Sequence, residues 1–266
     1  MTEKFPNNGE QNPLVGIVLA AGKGTRMKSD LPKVLHLLLG KPMIHHVLDT
    51  LISLKLKEII VIVGHRAPEV QQALNSYPVK FAMQANQRGT GHAVKQAKSL
   101  LSAFDGDVLI MCGDTPLFTS DTLSKFLAEH RRAKSKLSIL SSSKVKDPHG
   151  YGRIVKKSPD DSKVIKIVEE KDATDKEKAI KEINTGIYLV SAPLLFSLVD
   201  KIECNNQQGE FYLTDIVSLA VKEKISVYAF SLASEEEALG VNSQDDLKQA
   251  EKIMRQRMNQ NCKEKD

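Results

Sequence analysis

An apolar run, Gly16 to Leu19, breaks into a turn holding Gly22 and Gly24 and then presents Arg26 and Lys33. Glycines let backbone N–H groups approach a ligand that a Cβ would hold off. Oriented N–H groups in such a turn form a concavity for phosphate oxygens, and two cations nearby complete it. The turn follows the first strand of an alternating pattern, which is where α/β folds bind nucleotides. The Gly-x4-Gly-Lys-Ser/Thr spacing of a Walker loop and the Gly-x-Gly-x-x-Gly of a dinucleotide fold are both missing.

The alternation fills the first half of the chain. Strands are expected at Leu14–Ala20, Glu58–Val63, Val79–Gln84 and Asp107–Cys112. Helices are expected at Pro42–Leu54, Pro68–Leu74, His92–Ser102 and Asp121–Arg132. That order implies a mostly parallel central sheet with helices on both faces. The second half is less regular. Strands are expected at Leu137–Ser141, Arg153–Val155, Val164–Glu169 and Asn184–Val190, some of them antiparallel, and a late one at Ile225–Phe230. Helices are expected at Phe211–Lys222 and Ser243–Met258.

Composition excludes several classes. At 266 residues the chain can bury a full core, and 41% hydrophobic with 27% charged residues is ordinary for a globular protein. No run of 18 apolar residues exists, so no membrane span is expected. The polar stretch 1–13 lacks an apolar signal core and reads as a disordered tail. Three distant cysteines, Cys112, Cys204 and Cys262, argue against a disulfide framework and for a cytoplasmic setting. The net charge of +5 comes from lysines interspersed with acids, with few aromatics and no Trp, so a solvated surface is expected and no nucleic-acid partner.

The stretch Leu19-Ala20-Ala21-Gly22-Lys23-Gly24-Thr25-Arg26-Met27, followed by Leu31-Pro32-Lys33, resembles the phosphate-binding signature of the sugar-nucleotide pyrophosphorylases, or sugar nucleotidyltransferases. The similarity is nearest to the uridylyltransferase half of bacterial GlmU-type enzymes. It implies a Rossmann-like nucleotidyltransferase fold with an antiparallel sugar-binding portion. It also implies transfer of a uridylyl group from UTP to N-acetylglucosamine 1-phosphate, with Mg²⁺ as cofactor. Hexapeptide repeats of a left-handed β-helix, which form the acetyltransferase domain of such enzymes, are absent from these residues. The resemblance therefore covers 14–247 as a nucleotidyltransferase domain, with 248–266 expected as a basic helical arm. The arm leaves a homo-oligomer open, as a dimer contact.

The resemblance assigns Leu19, Ala20, Ala21, Gly22, Gly24 and Lys33 to the nucleotide, and Arg26 and Lys33 to catalysis. In Gln84-Ala85-Asn86-Gln87-Arg88-Gly89-Thr90-Gly91-His92, the Gln84 amide offers both donor and acceptor to the imide edge of uracil. Gly89 is expected to admit the base, and Thr90 offers a hydroxyl. His92, starting a helix, reads as structural. Gly113-Asp114-Thr115-Pro116-Leu117 follows a buried strand, and Asp114 is the expected Mg²⁺ ligand, a carboxylate for a hard cation. Its bland reading is an Asp stabilising its own turn. Cys112 stands where the family often has Tyr, and reads as buried and not catalytic. Asn242 is the second expected metal contact, shared with the sugar. It reads equally as a helix cap unless Ser243 takes that role. Gly152, Glu169 and Asn184 are the expected sugar contacts, with Gln208–Asp215 as wall and scaffold. Two other readings remain open here: a different sugar or polyol nucleotidyltransferase, and a non-catalytic nucleotide-sensing subunit on the same fold.

Overall fold

The computed structural model describes residues 12–143, 145–158, 161–231 and 234–263. The elements, in chain order, are β1 (Leu14–Ala20), β2 (Leu37–Leu38), β3 (Lys41–Pro42), α1 (Met43–Ser53), β4 (Glu58–Val63), α2 (Ala67–Ala73), β5 (Lys80–Met83), α3 (Thr90–Lys95), β6 (Asp107–Cys112) and α4 (Ser120–Arg132). There follow β7 (Leu137–Ser142), β8 (Arg153–Lys156), β9 (Val164–Val168), α5 (Asp175–Lys178), β10 (Ile183–Ser191), α6 (Ala192–Val199), α7 (Asp215–Lys222), β11 (Tyr228–Ser231) and α8 (Gln244–Lys263).

Nine strands form one sheet in the order β11-β7-β10-β6-β1-β4-β5, with β8 and β9 as a hairpin attached to β10. β1 pairs in parallel with both β4 and β6, so it sits at the centre. β10 runs antiparallel between β6 and β7. The sheet is thus parallel on one side and mixed on the other.

The central strands are apolar throughout because both faces are covered. Alternate residues serve two separate cores. Val15, Ile17, Ile60, Ile62, Val108 and Ile110 pack with residues of α3, α6 and α7. Val18, Val61, Val63, Leu109 and Met111 pack with residues of α1, α2 and α4. A third cluster joins Leu38, Met43, Leu117 and Val241 to Ala250 and Ile253 of α8. That helix is continuous through position 247, so the boundary expected there falls inside it, and its first half is part of the packed body.

Several expectations shift. The helix expected over His92–Ser102 is α-helical only over Thr90–Lys95 and continues as tight turns closed by bonds such as Lys98 N to Lys95 O. The helix expected from Phe211 begins at Asp215. Residues 211–213 instead bond to the chain at 88–91, with Phe211 N donating to Arg88 O and Gly91 N to Phe211 O, both at 2.8 Å. α6 was not expected at all. The tail expected over 1–13 lies outside the described residues up to position 11; Asn12 and Pro13 are bonded to Asp107, through Asn12 Nδ2 to Oδ2 at 3.3 Å and Asp107 N to Pro13 O at 2.9 Å. No described helix is long and apolar enough to cross a membrane.

Candidate active site

β1 and β6 end side by side, with Gly113 N donating to Leu19 O at 2.9 Å, and the turn after each opens on the same cavity. The first turn bends because Gly24 takes a φ of +61°, where a Cβ would stand 2.6 Å from Lys33 Cβ. Glycine there lets the backbone lie directly on the Lys33 stem. Among the described residues, the N–H groups of residues 22–26 have no partner, as a nest awaiting an anion requires. The cavity measures about 500 Å³ and is lined by Leu19, Ala20, Ala21, Gly22, Lys33, Gln84, Gly89, Thr90, Cys112 and Asp114, with Lys23, Thr25, Gln87 and Glu210 added to the expected set.

At the mouth of the turn four polar side chains bond to one another. Lys33 pairs with Asp114, each side chain only 17% exposed. Lys33 Nζ donates to Asn242 Oδ1 at 3.0 Å, and Arg26 Nη2 donates to the same oxygen at 2.8 Å. Arg26 therefore stands on Asn242 and not over the glycine turn. Val241 N donates to Asp114 O at 2.9 Å, which ties the two loops together. Asn242 is not the helix cap. Ser243 Oγ accepts from Asp246 N at 3.2 Å while Asp246 Oδ2 accepts from Ser243 N at 2.8 Å, a reciprocal cap that leaves the Asn242 side chain for the cluster.

Among the described residues no three His, Cys, Asp or Glu gather as a metal cage. Asp114 and Asn242 do offer two hard oxygens that share the Lys33 ammonium, with Arg26 on the Asn242 oxygen as well. That donor set is of the kind Mg²⁺ accepts from proteins, where one or two side chains and substrate phosphates share the ion with water.

The base-side residues are organised differently from expectation. Gly89 has a φ of +109°, and a Cβ there would meet the Phe211 backbone at 2.6 Å. Its bareness admits the 211 segment, although Gly89 also lines the cavity. The Thr90 hydroxyl accepts from Leu213 N at 2.9 Å and so anchors the same segment. Gln84 is buried, and both its N–H groups face partners inside the protein, so only its oxygen remains for a base. His92 is one of those partners.

Gly152, Glu169 and Asn184 converge at the ends of β8, β9 and β10. Asn184 N donates to Gly152 O at 2.8 Å, and a Cβ on Gly152 would lie 3.5 Å from Glu169 Oε2 and 3.6 Å from Asn184 Cβ. Two further residues hold them. Tyr188 Oη accepts from Asn184 Nδ2 at 2.8 Å, and Thr214 Oγ1 donates to Glu169 Oε1 at 3.1 Å. Tyr188 has no motif that marks it, whereas Thr214 lies in the segment expected as scaffold. Burial pushes the Glu169 carboxyl up, with Asp215 and Asp172 adding to it against the Thr214 bond. Asp215 is pushed up to about 6 by burial and by Asp172. Cys112 is half-buried at the cavity wall, its sulfur 3.4 Å from where a Gly186 Cβ would be, and burial pushes its thiol up to about 12. An unionised thiol is a poor nucleophile, so Cys112 is a wall and not a catalyst. Asn242, expected on the sugar as well, stands with the cations.

Comparison with known proteins shows the family. Residues 15–236 match the nucleotidyl transferase family model. The bifunctional protein GlmU of Bacillus licheniformis is 46% identical over 243 residues, covering 91% of this chain and 52% of that protein. The bifunctional protein GlmU of Syntrophotalea carbinolica is 42% identical over 252 residues, covering 95% and 53%. The chain thus spans about half the length of the curated relatives it matches. Its fold is shared with a UDP-glucose pyrophosphorylase solved with UDP-glucose, at a TM-score of 0.71 and 16% identity over 92% of this chain and 99% of that one. A putative glucose-1-phosphate thymidylyltransferase from Bacillus anthracis gives a TM-score of 0.71 and 20% identity over 90% and 94%. The chain belongs to the nucleotidyl transferase family.

Proposed function

We propose that this protein is a Mg²⁺-dependent uridylyltransferase that joins UTP to N-acetylglucosamine 1-phosphate, giving UDP-N-acetylglucosamine and pyrophosphate. The observation that carries the reading is the Arg26–Asn242–Lys33–Asp114 cluster at the mouth of a turn with free N–H groups. The likeness to two GlmU proteins supports the choice of base and sugar.

An oxygen of the sugar phosphate attacks the α-phosphorus of UTP in line, and the bond from that phosphorus to the bridging oxygen of the β-phosphate breaks, releasing pyrophosphate. A phosphate monoester with a second pKa near ~6 is largely dianionic at neutral pH, so no general base is needed. The residues then act by positioning and by charge. The free N–H groups of 22–26 hold the triphosphate. Lys33 holds oxygens at the transferring centre, and Arg26 leaves Asn242 to neutralise the departing pyrophosphate. Asp114 and Asn242 would hold Mg²⁺, which supplies positive charge against the phosphate oxygens. Glu169, Asn184 and the Gly152 backbone hold the sugar.

A panel of nucleoside triphosphates against sugar 1-phosphates, with and without EDTA and read as pyrophosphate release, tests the reading. Fastest release is expected from UTP with N-acetylglucosamine 1-phosphate, and EDTA abolishes it. Preference for another sugar or base moves the protein to a different transferase. Tight UTP binding without turnover makes it a sensor.

A further inference from the structure

Gln84, at the end of β5, is 3% exposed and lines the cavity. Its Nε2 donates to the Gly89 carbonyl at 3.0 Å and faces His92 Nδ1, also at 3.0 Å. A carbonyl can only accept, so Gly89 decides which end of the amide is nitrogen. The second N–H then needs an acceptor, and His92 Nδ1 is one only when the ring carries its proton on Nε2. Among the described residues Gln84 Oε1 has no partner and is left for the cavity.

We propose that His92 is a positioning residue for base choice, holding Gln84 so that its oxygen, and never its amino group, meets the nucleobase. This rests on the uridylyltransferase reading above. Uracil presents N3–H between two carbonyls, a donor for that oxygen. Cytosine has a lone pair at N3, which the oxygen repels. A Gln amide free to turn would serve both bases; one with both N–H groups engaged serves only uracil.

The surroundings keep the ring neutral. Gln96, tied through Nε2 to the His92 carbonyl at 2.9 Å, lies 3.3 Å from the ring Nε2. A doubly protonated ring would aim N–H groups at amide nitrogens on both sides, whereas a neutral ring aims only one. Of the two contacts, the one from Gln84 to Nδ1 is the shorter and takes the lone pair, Gln96 having the His92 carbonyl as its acceptor. Burial, Arg88 and Lys95 also push His92 below the usual histidine range, against the pull of the Asn86 carbonyl. Asp200, which caps α6 and lines the same cavity as His92, is engaged with Lys95 at 2.9 Å and with Lys98. The Phe211 ring lies 6.3 Å from the imidazole and carries the Arg88 guanidinium 4.7 Å from its own centroid.

The test measures kcat/KM for UTP and for CTP in the wild type, His92→Leu, His92→Asn, Gln84→Ala and the Gln84→Ala/His92→Leu double variant. Leucine keeps bulk without an acceptor, while the Asn Oδ1 can take the place of Nδ1. His92→Leu should lower the UTP-over-CTP ratio about 10-fold, more through KM for UTP than through kcat, because a buried N–H is left unpaired and free to turn. His92→Asn should stay within about threefold of the wild type, and the double variant should fall no lower than Gln84→Ala. An unchanged ratio in His92→Leu, with Gln84→Ala lowered, overturns the role of His92 alone. A double variant that loses the product of the two single effects does the same. A wild-type ratio in Gln84→Ala overturns the base assignment beneath it as well. If His92→Leu does not fold, the ¹⁵N spectrum of the His92 ring in the wild type decides: a proton on Nε2 supports the proposal, and one on Nδ1 overturns it.

Discussion

At the turn end of the cleft, Arg26, Lys33, Asp114 and Asn242 bond to one another, whereas at the hairpin end Glu169 and Asn184 are held by neutral partners, Thr214 and Tyr188. The first set joins three charged side chains to the Asn242 amide, and their charges are met within the set. On the proposed function, a triphosphate entering there would exchange partners with groups already in place, and its charge would be met without reorganising water. The second set is fixed before any ligand arrives and offers hydrogen bonds in set directions. Its carboxylates are buried beside other acids and are costly to ionise. On that reading one end would stabilise a charge that moves and the other would recognise a shape that does not.

The contrast is sharpest in the variants with the largest effects. Asp114→Asn and Lys33→Ala should each lower kcat by about 10²–10³-fold while the protein still melts cooperatively, since preorganised charge contributes mostly to the transition state. Near-wild-type turnover in either would remove the cluster from the chemistry. At the hairpin end, Glu169→Gln should instead raise KM for the sugar phosphate about 10-fold and leave KM for UTP alone, the loss of a charge-assisted hydrogen bond. A kcat loss as large as that of Asp114→Asn would erase the distinction between the two ends. Because burial raises the Glu169 pKa, acidification neutralises it early, so the gap between wild type and Glu169→Gln should narrow as the pH falls.

The smallest effect is on stability. Asp215 is pushed up to about 6 from an ordinary 3.8, so the folded state holds this proton more tightly than the unfolded chain does. Its contribution is favourable below the unfolded value and is lost as the pH rises through about 6. Asp215→Asn should therefore have a higher Tm than the wild type at pH ~8, with the gap closing by pH ~4. A gap that widens on acidification would mean that Asp215 is stabilised as a carboxylate, contrary to the picture of the hairpin end.

The parallel half of the fold was legible because each strand is a short apolar run followed by a turn, and β1, β4 and β6 fall where those runs do. Asp114 and Lys33 were legible for the same reason, since each follows closely on the end of a strand or its turn. α6 was not. Ser191-Ala192-Pro193-Leu194-Leu195-Phe196 continues β10 without a break, and Ala192, Leu195, Phe196, Leu198 and Val199 are all buried, so no polar face marks a helical period. The start of α7 was misplaced because residues 211–213 bond to a segment some 120 positions earlier, a tertiary contact that local preference does not carry. The same contact explains Gly89, whose bareness looked like room for a base and also serves the Phe211 backbone. Tyr188 was missed because its role depends on Asn184 four residues earlier in a bulged strand, where the register shifts between Asn184 and Ile187.

Exchange of labelled pyrophosphate into UTP, in the presence of UDP-N-acetylglucosamine and Mg²⁺, tests the central claim most directly, because it requires the turn, the cations and the sugar site to act on one phosphorus. The account predicts label in UTP from the wild type, none after EDTA, and at least a hundredfold less from Lys33→Ala. Label that never enters UTP with metal supplied, or that enters equally in Lys33→Ala, would contradict it.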